Sequence, residues 1–153
     1  MPGAGLYPIH TDRLTFARDG RWYADGEPVI HPRLAVFFSR HLRRKAAGGY
    51  EIWVDERFHA DVEIEDTPFV VVGIDCRADG VIELELNDGT REELDENGLE
   101  VGDDDAFYSP IKNASERARW LRAAHNQLAP HVVERNDGFE VSCAERRYPI
   151  RRG

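Results

Sequence analysis

Phe58-His59-Ala60-Asp61-Val62-Glu63-Ile64-Glu65, then Asp66-Thr67-Pro68, then Phe69-Val70-Val71-Val72-Gly73-Ile74-Asp75-Cys76, is the stretch on which the reading of the fold turns. Its first part alternates strictly. Phe58, Ala60, Val62 and Ile64 point one way and His59, Asp61, Glu63 and Glu65 the other, which is the period of a strand with one wet face. The second part is apolar at successive positions, the pattern of a strand covered on both sides. Asp-Thr-Pro between them is turn chemistry, because proline fixes φ and gives no amide to a ladder. The sequence therefore predicts a hairpin whose second strand is the most buried element of the chain.

Outward from that hairpin, local signals are frequent. Leu14-Thr15-Phe16-Ala17 reads as a short strand, Asp25-Gly26 as a two-residue hairpin turn after Trp22-Tyr23, and Tyr50 to Val54 as the strand entering the central hairpin. Pro32 suits the first turn of a helix that the pattern carries to about Lys45, before Gly48-Gly49. Leu34, Phe37, Phe38, His41 and Leu42 are its expected buried stripe. Arg43, Arg44 and Lys45 would then sit in its last turn, where the dipole favours cations. Further on, Val81 to Leu86 alternates, Asn87-Asp88-Gly89 turns, and Leu99-Glu100-Val101 is a short strand in an acidic loop region. Asn113 with Glu116 has the spacing of a capping box for a second helix, with Ala118, Leu121, Ala124 and Leu128 inward and Pro130 as its stop. Asn136-Asp137-Gly138 is another hairpin turn. Residues 1–11 read as a loose arm, and Arg151-Arg152-Gly153 as a tail. The predicted class is α+β with mainly antiparallel sheet, in two similar strand–helix–hairpin halves at 12–78 and 79–150.

Composition narrows the function. The chain has 153 residues and a net charge of -9, which argues against a general nucleic-acid binder and against a partner at an anionic membrane surface, although local basic clusters can override a global balance. No apolar run is long enough to span a membrane and no signal peptide is visible, so the expected location is the cytoplasm. Cys76 and Cys143 are neither in a Cys-x-x-Cys pair nor near a histidine, and read as buried reduced thiols.

Candidate chemistry comes in two groups. Arg33, Arg40, Arg43 and Arg44 fall on or near one flank of the first predicted helix and can hold an anion, since guanidinium forks match phosphate oxygens. Arg21 beside Trp22 adds a donor and a stacking surface. The plain alternative is a solvated helix flank and a core tryptophan. His59 with Asp61, Glu63 and Glu65 shares a strand face and can in principle ligate a metal or act as acid and base, or simply face water. Asp103-Asp104-Asp105 lacks the spacing of a calcium loop, and there is no phosphate-binding glycine loop, no Gly-x-Ser-x-Gly and no expected cofactor.

Asp19-Gly20-Arg21-Trp22-Tyr23, Leu42-Arg43-Arg44, Gly49-Tyr50, Val62-Glu63-Ile64-Glu65-Asp66-Thr67-Pro68-Phe69-Val70, Pro130 to Arg135, Gly138-Phe139-Glu140 and Tyr148 together resemble a bacterial family of unknown function, DUF1285. The resemblance implies a duplicated α+β core whose C-terminal half superficially resembles pleckstrin-homology folds. It also implies a nucleotide-like ligand at the interface of the halves, a role in signal transduction, and no known catalysis. The family continues into a helix after the last strand, for which Pro149 and Gly153 leave no room here. The expectation is thus a non-enzymatic cytoplasmic module for a small anionic ligand held by Arg21, Trp22, Arg33, Arg40, Arg43 and Arg44. The rival readings are a protein-interaction module using a sheet edge and a metal or acid–base enzyme built on His59.

Overall fold

The computed structural model describes residues 13–153; the predicted arm at residues 1–11 lies outside the described residues. The chain divides into two compact units, the first ending at Pro68 and the second running from Phe69 to Gly153. The boundary is therefore the Asp66-Thr67-Pro68 turn, ten residues before the predicted one at 78.

The first unit contains β1 (Leu14–Phe16), β2 (Trp22–Ala24), β3 (Glu27–Pro28), α1 (Pro32–Arg40), β4 (Leu42–Arg44), β5 (Tyr50–Asp55) and β6 (Phe58–Ile64). Its strands form a six-stranded sheet in the order β3-β2-β1-β6-β5-β4. β1 runs antiparallel to β2 and parallel to β6. Asp25 and Gly26 close the β2–β3 turn with φ of 51° and 84°, the left-handed pair that a two-residue hairpin needs. One face of the sheet collects the buried Leu14, Phe16, Trp22, Leu42, Ile52 and Val62, with Phe38 of α1 also buried.

The predicted helix stops at Arg40, five residues short of Lys45. The His41 amide bonds back to the carbonyls of Phe37 and Phe38, and the chain then straightens into β4, where Leu42 is buried opposite Ile52. Leu42 satisfies its burial by cross-strand pairing rather than by helical spacing, so Arg43 and Arg44 are strand residues and the dipole argument does not apply to them.

The predicted pairing of the two central strands is also corrected. β6 has the predicted alternation, with Val62 buried between exposed Asp61 and Glu63. Its two neighbours, however, are β1 and β5. β7 (Phe69–Cys76) belongs to the second unit. Each strand fills both edges within its own unit, which leaves no edge for a hairpin between them.

The second unit continues with β8 (Ile82–Leu86), β9 (Arg91–Glu93), β10 (Glu100–Val101), β11 (Phe107–Ile111), β12 (Glu116–Trp120), α2 (Arg122–Leu128), a 3-10 turn (Ala129–His131), β13 (Val132–Arg135), β14 (Gly138–Cys143), β15 (Arg146–Pro149) and β16 (Arg151–Arg152). A seven-stranded sheet has the order β16-β10-β11-β12-β7-β8-β9, and β13-β14-β15 form a separate three-stranded sheet. The first six strands of the second unit thus follow the order of the first unit, with the first and sixth side by side and parallel. The helices do not repeat: α1 precedes the fourth strand of its unit and α2 follows the sixth.

β7 is central and buried on both faces through Phe69, Val70 and Val71, as its composition predicts. It pairs with β12 only over those residues. The register with β8 shifts at Val72, and beyond it the Ile74 amide donates 2.7 Å to Oε1 of Gln127 on α2. A helix side chain thus replaces the missing strand.

The second predicted helix begins late. Residues 112–115 are a hairpin turn between β11 and β12, not a helix cap. Lys112, Asn113 and Ala114 all lie in the left-handed region, at φ of 51°, 58° and 62°. The period decides this: Arg117-Ala118-Arg119-Trp120 alternates, with Ala118 and Trp120 buried, and only from Arg122 does the chain coil, with Ala124 and Leu128 inward. The unfavourable turn is pinned from several sides. The Lys112 amide donates to the Glu92 carboxylate, Lys112 Nζ lies 2.8 Å from the buried Asp88 and 4.8 Å from the Phe69 ring centre, and Asp88 also accepts from the Thr90 amide and hydroxyl.

Two further expectations fail at the end of the chain. Arg151-Arg152 is a strand parallel to β10, and the amides of Arg151 and Gly153 donate to Leu99 and Val101. Cys76 and Cys143 are joined in a disulfide across a Cα separation of 5.8 Å. The spacing carried no sign of this because the pairing is non-local. Beside it the Tyr148 hydroxyl donates 3.0 Å to the Gly80 carbonyl and accepts from the Ile82 amide at 3.2 Å. The bridge and the tyrosine together fasten the three-stranded sheet to the β7–β8 hairpin. Among the described residues no helix is long and apolar enough to cross a membrane.

Cys143→Ser, or reduction of the wild type with a dithiol, lowers unfolding free energy by about 4 kcal/mol for a closed loop of this size; chemical denaturation with and without reductant measures it. Burial raises the affinity of the Asp88 carboxyl for its proton, but the hydrogen bonds from Lys112 and Thr90 outweigh that and hold it below the usual carboxylate range. A depressed folded-state pKa stabilises above the unfolded value of 3.8 and is lost as pH falls through the lower folded value. Acid titration of Asp88→Asn will therefore show a shallower loss of stability below that pH than wild type, and Lys112→Met will cost about 2 kcal/mol at neutral pH by removing the cation from a buried carboxylate that keeps its Thr90 bonds.

Candidate functional site

Register fixes which side chains of the first sheet share its outer face. Arg43 stands opposite Glu51, Glu51 opposite Asp61, Trp53 opposite His59, and Thr15 opposite both Tyr23 and Glu63. On this face each carboxylate meets a cation from another part of the unit. Arg43 Nε lies 3.0 Å from Glu51, Lys45 Nζ 2.9 Å from Asp61, and Arg13 3.0 Å from Glu63. The Arg43 guanidinium also lies 4.2 Å from the centre of the Trp53 ring. A planar cation is thus held between an indole face and a carboxylate while its side chain keeps half of its exposure.

The strand face carrying His59 is as wet as its alternation predicts, but its acids are engaged. Asp61 and Glu63 pair with cations and Glu65 accepts the Arg18 amide. Among the described residues, no three His, Cys, Asp or Glu side chains gather as a metal site. In the acidic loop Asp104 binds Arg119 and the Ala106 amide, and the Arg119 hydrogen bond holds its carboxyl below the usual range.

The six predicted ligand residues are scattered. Trp22 is 1% exposed, its ring between Phe16 at 5.0 Å and Phe38 at 5.4 Å, and its Nε1–H donates 3.0 Å to the buried Ser39 hydroxyl. It has no face left to stack on a ligand, because the hydroxyl and the two rings use its polar and apolar parts together. Arg21 is exposed in the turn before β2. Arg33 and Arg40 are exposed at the two ends of α1. Arg43 and Arg44, being neighbours in a strand, point to opposite faces, and Arg44 lies 5.1 Å from the Tyr50 ring instead. The residue that sequence reasoning missed is Trp53. The arginine–indole pair sought at Arg21–Trp22 occurs at Arg43–Trp53, two residues off the Arg43–Glu51 register. Tyr50 to Val54 was legible as a strand, but its register against Arg43 was hidden while Arg43 was read as helical.

A six-stranded sheet with one helix, followed by a seven-stranded and a three-stranded sheet, defines an α+β protein built largely of strands. That architecture is shared with a DUF1285 family protein from Silicibacter pomeroyi DSS-3, at a TM-score of 0.66 and 21% identity over 95% of this chain and 87% of that one. A DUF1285 family protein from Shewanella baltica OS155 is similar at a TM-score of 0.58 and 18% identity, over 76% of this chain and 90% of the other. No family model matches the sequence, and no curated protein does. At these identities the likeness is one of fold.

Trp22→Phe keeps most of the ring but removes the buried indole N–H bond to the Ser39 hydroxyl, and will lower unfolding free energy by about 1 kcal/mol in urea. If the residue is core alone, the same variant will leave any ligand response unchanged.

Proposed function

We propose that the protein is a non-catalytic recognition module for a small anionic, nucleotide-like ligand, docked on the outer face of the first sheet at Arg43 and Trp53. The observation that carries this reading is the Arg43 guanidinium, fixed over the Trp53 ring and still half-exposed. A guanidinium held flat gives a plane for a base to stack on, and the Nη edge turned away from the Nε–Glu51 bond can meet phosphate oxygens. Lys45 supplies a second cation on the same face, from which a phosphate can displace Asp61. The engagement of the nearby acids by cations favours anion binding over proton transfer by those carboxylates. Coupling of such a site to a signalling partner is the role that the family resemblance implies.

Differential scanning fluorimetry with ATP, GTP, AMP and inorganic phosphate at millimolar concentration tests the reading. A ligand at a hundred times its Kd adds about 2.7 kcal/mol to stability and raises Tm accordingly. The expected result is a rise for at least one nucleotide that Arg43→Ala abolishes, with the variant itself folded because Arg43 is a surface residue. No rise with any nucleotide, or an equal rise in Arg43→Ala, rejects the site.

A further inference from the structure

The second unit contains an open cleft of about 420 Å³ lined by Glu96, Glu145, Arg146, Arg147 and Tyr148. One wall is β15 with its turn residue Glu145, and the other is Glu96 from the turn after β9. Among the described residues β15 pairs with β14 alone, and its second edge carries no strand. The direction of its backbone groups follows from the ladder. The Ile150 amide donates to the Phe139 carbonyl, and antiparallel bonds recur at every second residue. Tyr148–Val141 and Arg146–Cys143 are therefore the bonded pairs, and the amide and carbonyl of Arg147 point away from β14.

We infer that this edge receives an extended peptide segment, added as a fourth strand beside β15, with an acidic side chain opposite Arg147. Main-chain hydrogen bonds to the outward groups of Arg147 supply the pairing, and the cleft supplies the room. The charge of the occupant follows from the arginines. Glu140, which faces Arg147 at 3.8 Å, is already bound by Arg135, so among the described residues the 57%-exposed Arg147 side chain has a long and shared ionic contact. Arg146 is held differently, with its stem packed over Gly80, where a Cβ would lie 2.8 Å from Arg146 Cγ. Glu96 and Glu145 also line the cleft and repel an acidic side chain, which leaves Arg147 as the place where one is favoured. Arginine and proline on an edge also keep other chains away. Here Pro149 closes only the far end, and the cleft leaves the middle of the strand accessible. The inference is independent of the ligand reading, which rests on the first unit.

The test uses the full chain and a blocked hexapeptide of alternating threonine and glutamate. Titration followed by backbone amide NMR will show saturable shifts centred on residues 145–148. The same peptide with a central proline, which cannot complete the ladder, will bind at least tenfold more weakly. Arg147→Pro removes the outward amide without breaking a bond to β14 and will weaken the original peptide at least tenfold. Amide exchange at Arg147 in the unmodified protein gives a readout that does not depend on the folding of that variant, and it will slow at least threefold at saturation. No saturable shift, equal binding of the two peptides, or unchanged exchange at Arg147 overturns the inference and leaves β15 a guarded edge.

Discussion

A strand sealed from water must find partners for every amide and carbonyl it carries, and the second unit is arranged around meeting that demand at β7. The side chains of Phe69, Val70 and Val71 are buried, so neither edge there can be left to solvent. β8 fills one edge along most of the length. β12 fills the other only as far as Val71, and past that point the ladder is carried by Gln127 and by α2, whose Ala124 and Leu128 are fully buried. The bulge at Val72 marks the change from one kind of cover to the other. The disulfide then holds the outer end of the same strand to β14, and Tyr148 holds the turn that follows it. The lid on β7 is therefore assembled from parts that lie far apart in the chain.

The same contrast between near and far separates what could be read from the sequence and what could not. Turns were legible because their chemistry is local: Asp25-Gly26, Asn87-Asp88-Gly89 and Asn136-Asp137-Gly138 each close a hairpin, and Asp25, Gly26, Gly89 and Asn136 adopt the positive φ those residue types favour. Alternation in β6 and burial in β7 were legible for the same reason. Strand partners were not. Nothing in Phe58–Cys76 states that β6 lies beside β1, or that β7 lies beside β12. The two helix errors have one cause. Both the 41–45 and the 113–120 segments carry residues acceptable to a helix, and in both a cross-strand contact, Leu42 with Ile52 or Ala118 with Ser109, outweighs weak propensity.

The candidate site was half visible. That basic and aromatic groups would meet in the first unit followed from Arg21, Trp22 and Leu42-Arg43-Arg44. Which pair would meet depended on register, and one step along a strand moves a side chain to the other face. Arg43 and Arg44 illustrate this. Trp22 shows the opposite limit, because a tryptophan beside an arginine reads alike whether its indole nitrogen is turned to a ligand or, as here, to Ser39. Trp120 in the second unit repeats the arrangement, donating 2.9 Å to the buried Ser109 hydroxyl. In each unit one buried tryptophan is thus anchored by a serine.

Each unit is closed by a parallel pairing of its first and sixth strands, β1 with β6 and β7 with β12. Such a contact joins segments separated by all the intervening hairpins, so the entropy of a long loop must be surrendered before it returns any stabilisation. The hairpins at β2–β3, β5–β6, β8–β9 and β11–β12 can form early and on their own, whereas the central seam of either sheet waits for both of its margins. Within each unit the parallel seam is therefore the costliest pairing to close. A chain interrupted during synthesis before Phe58 or before Glu116 would display β1 or β7 with its most apolar edge bare.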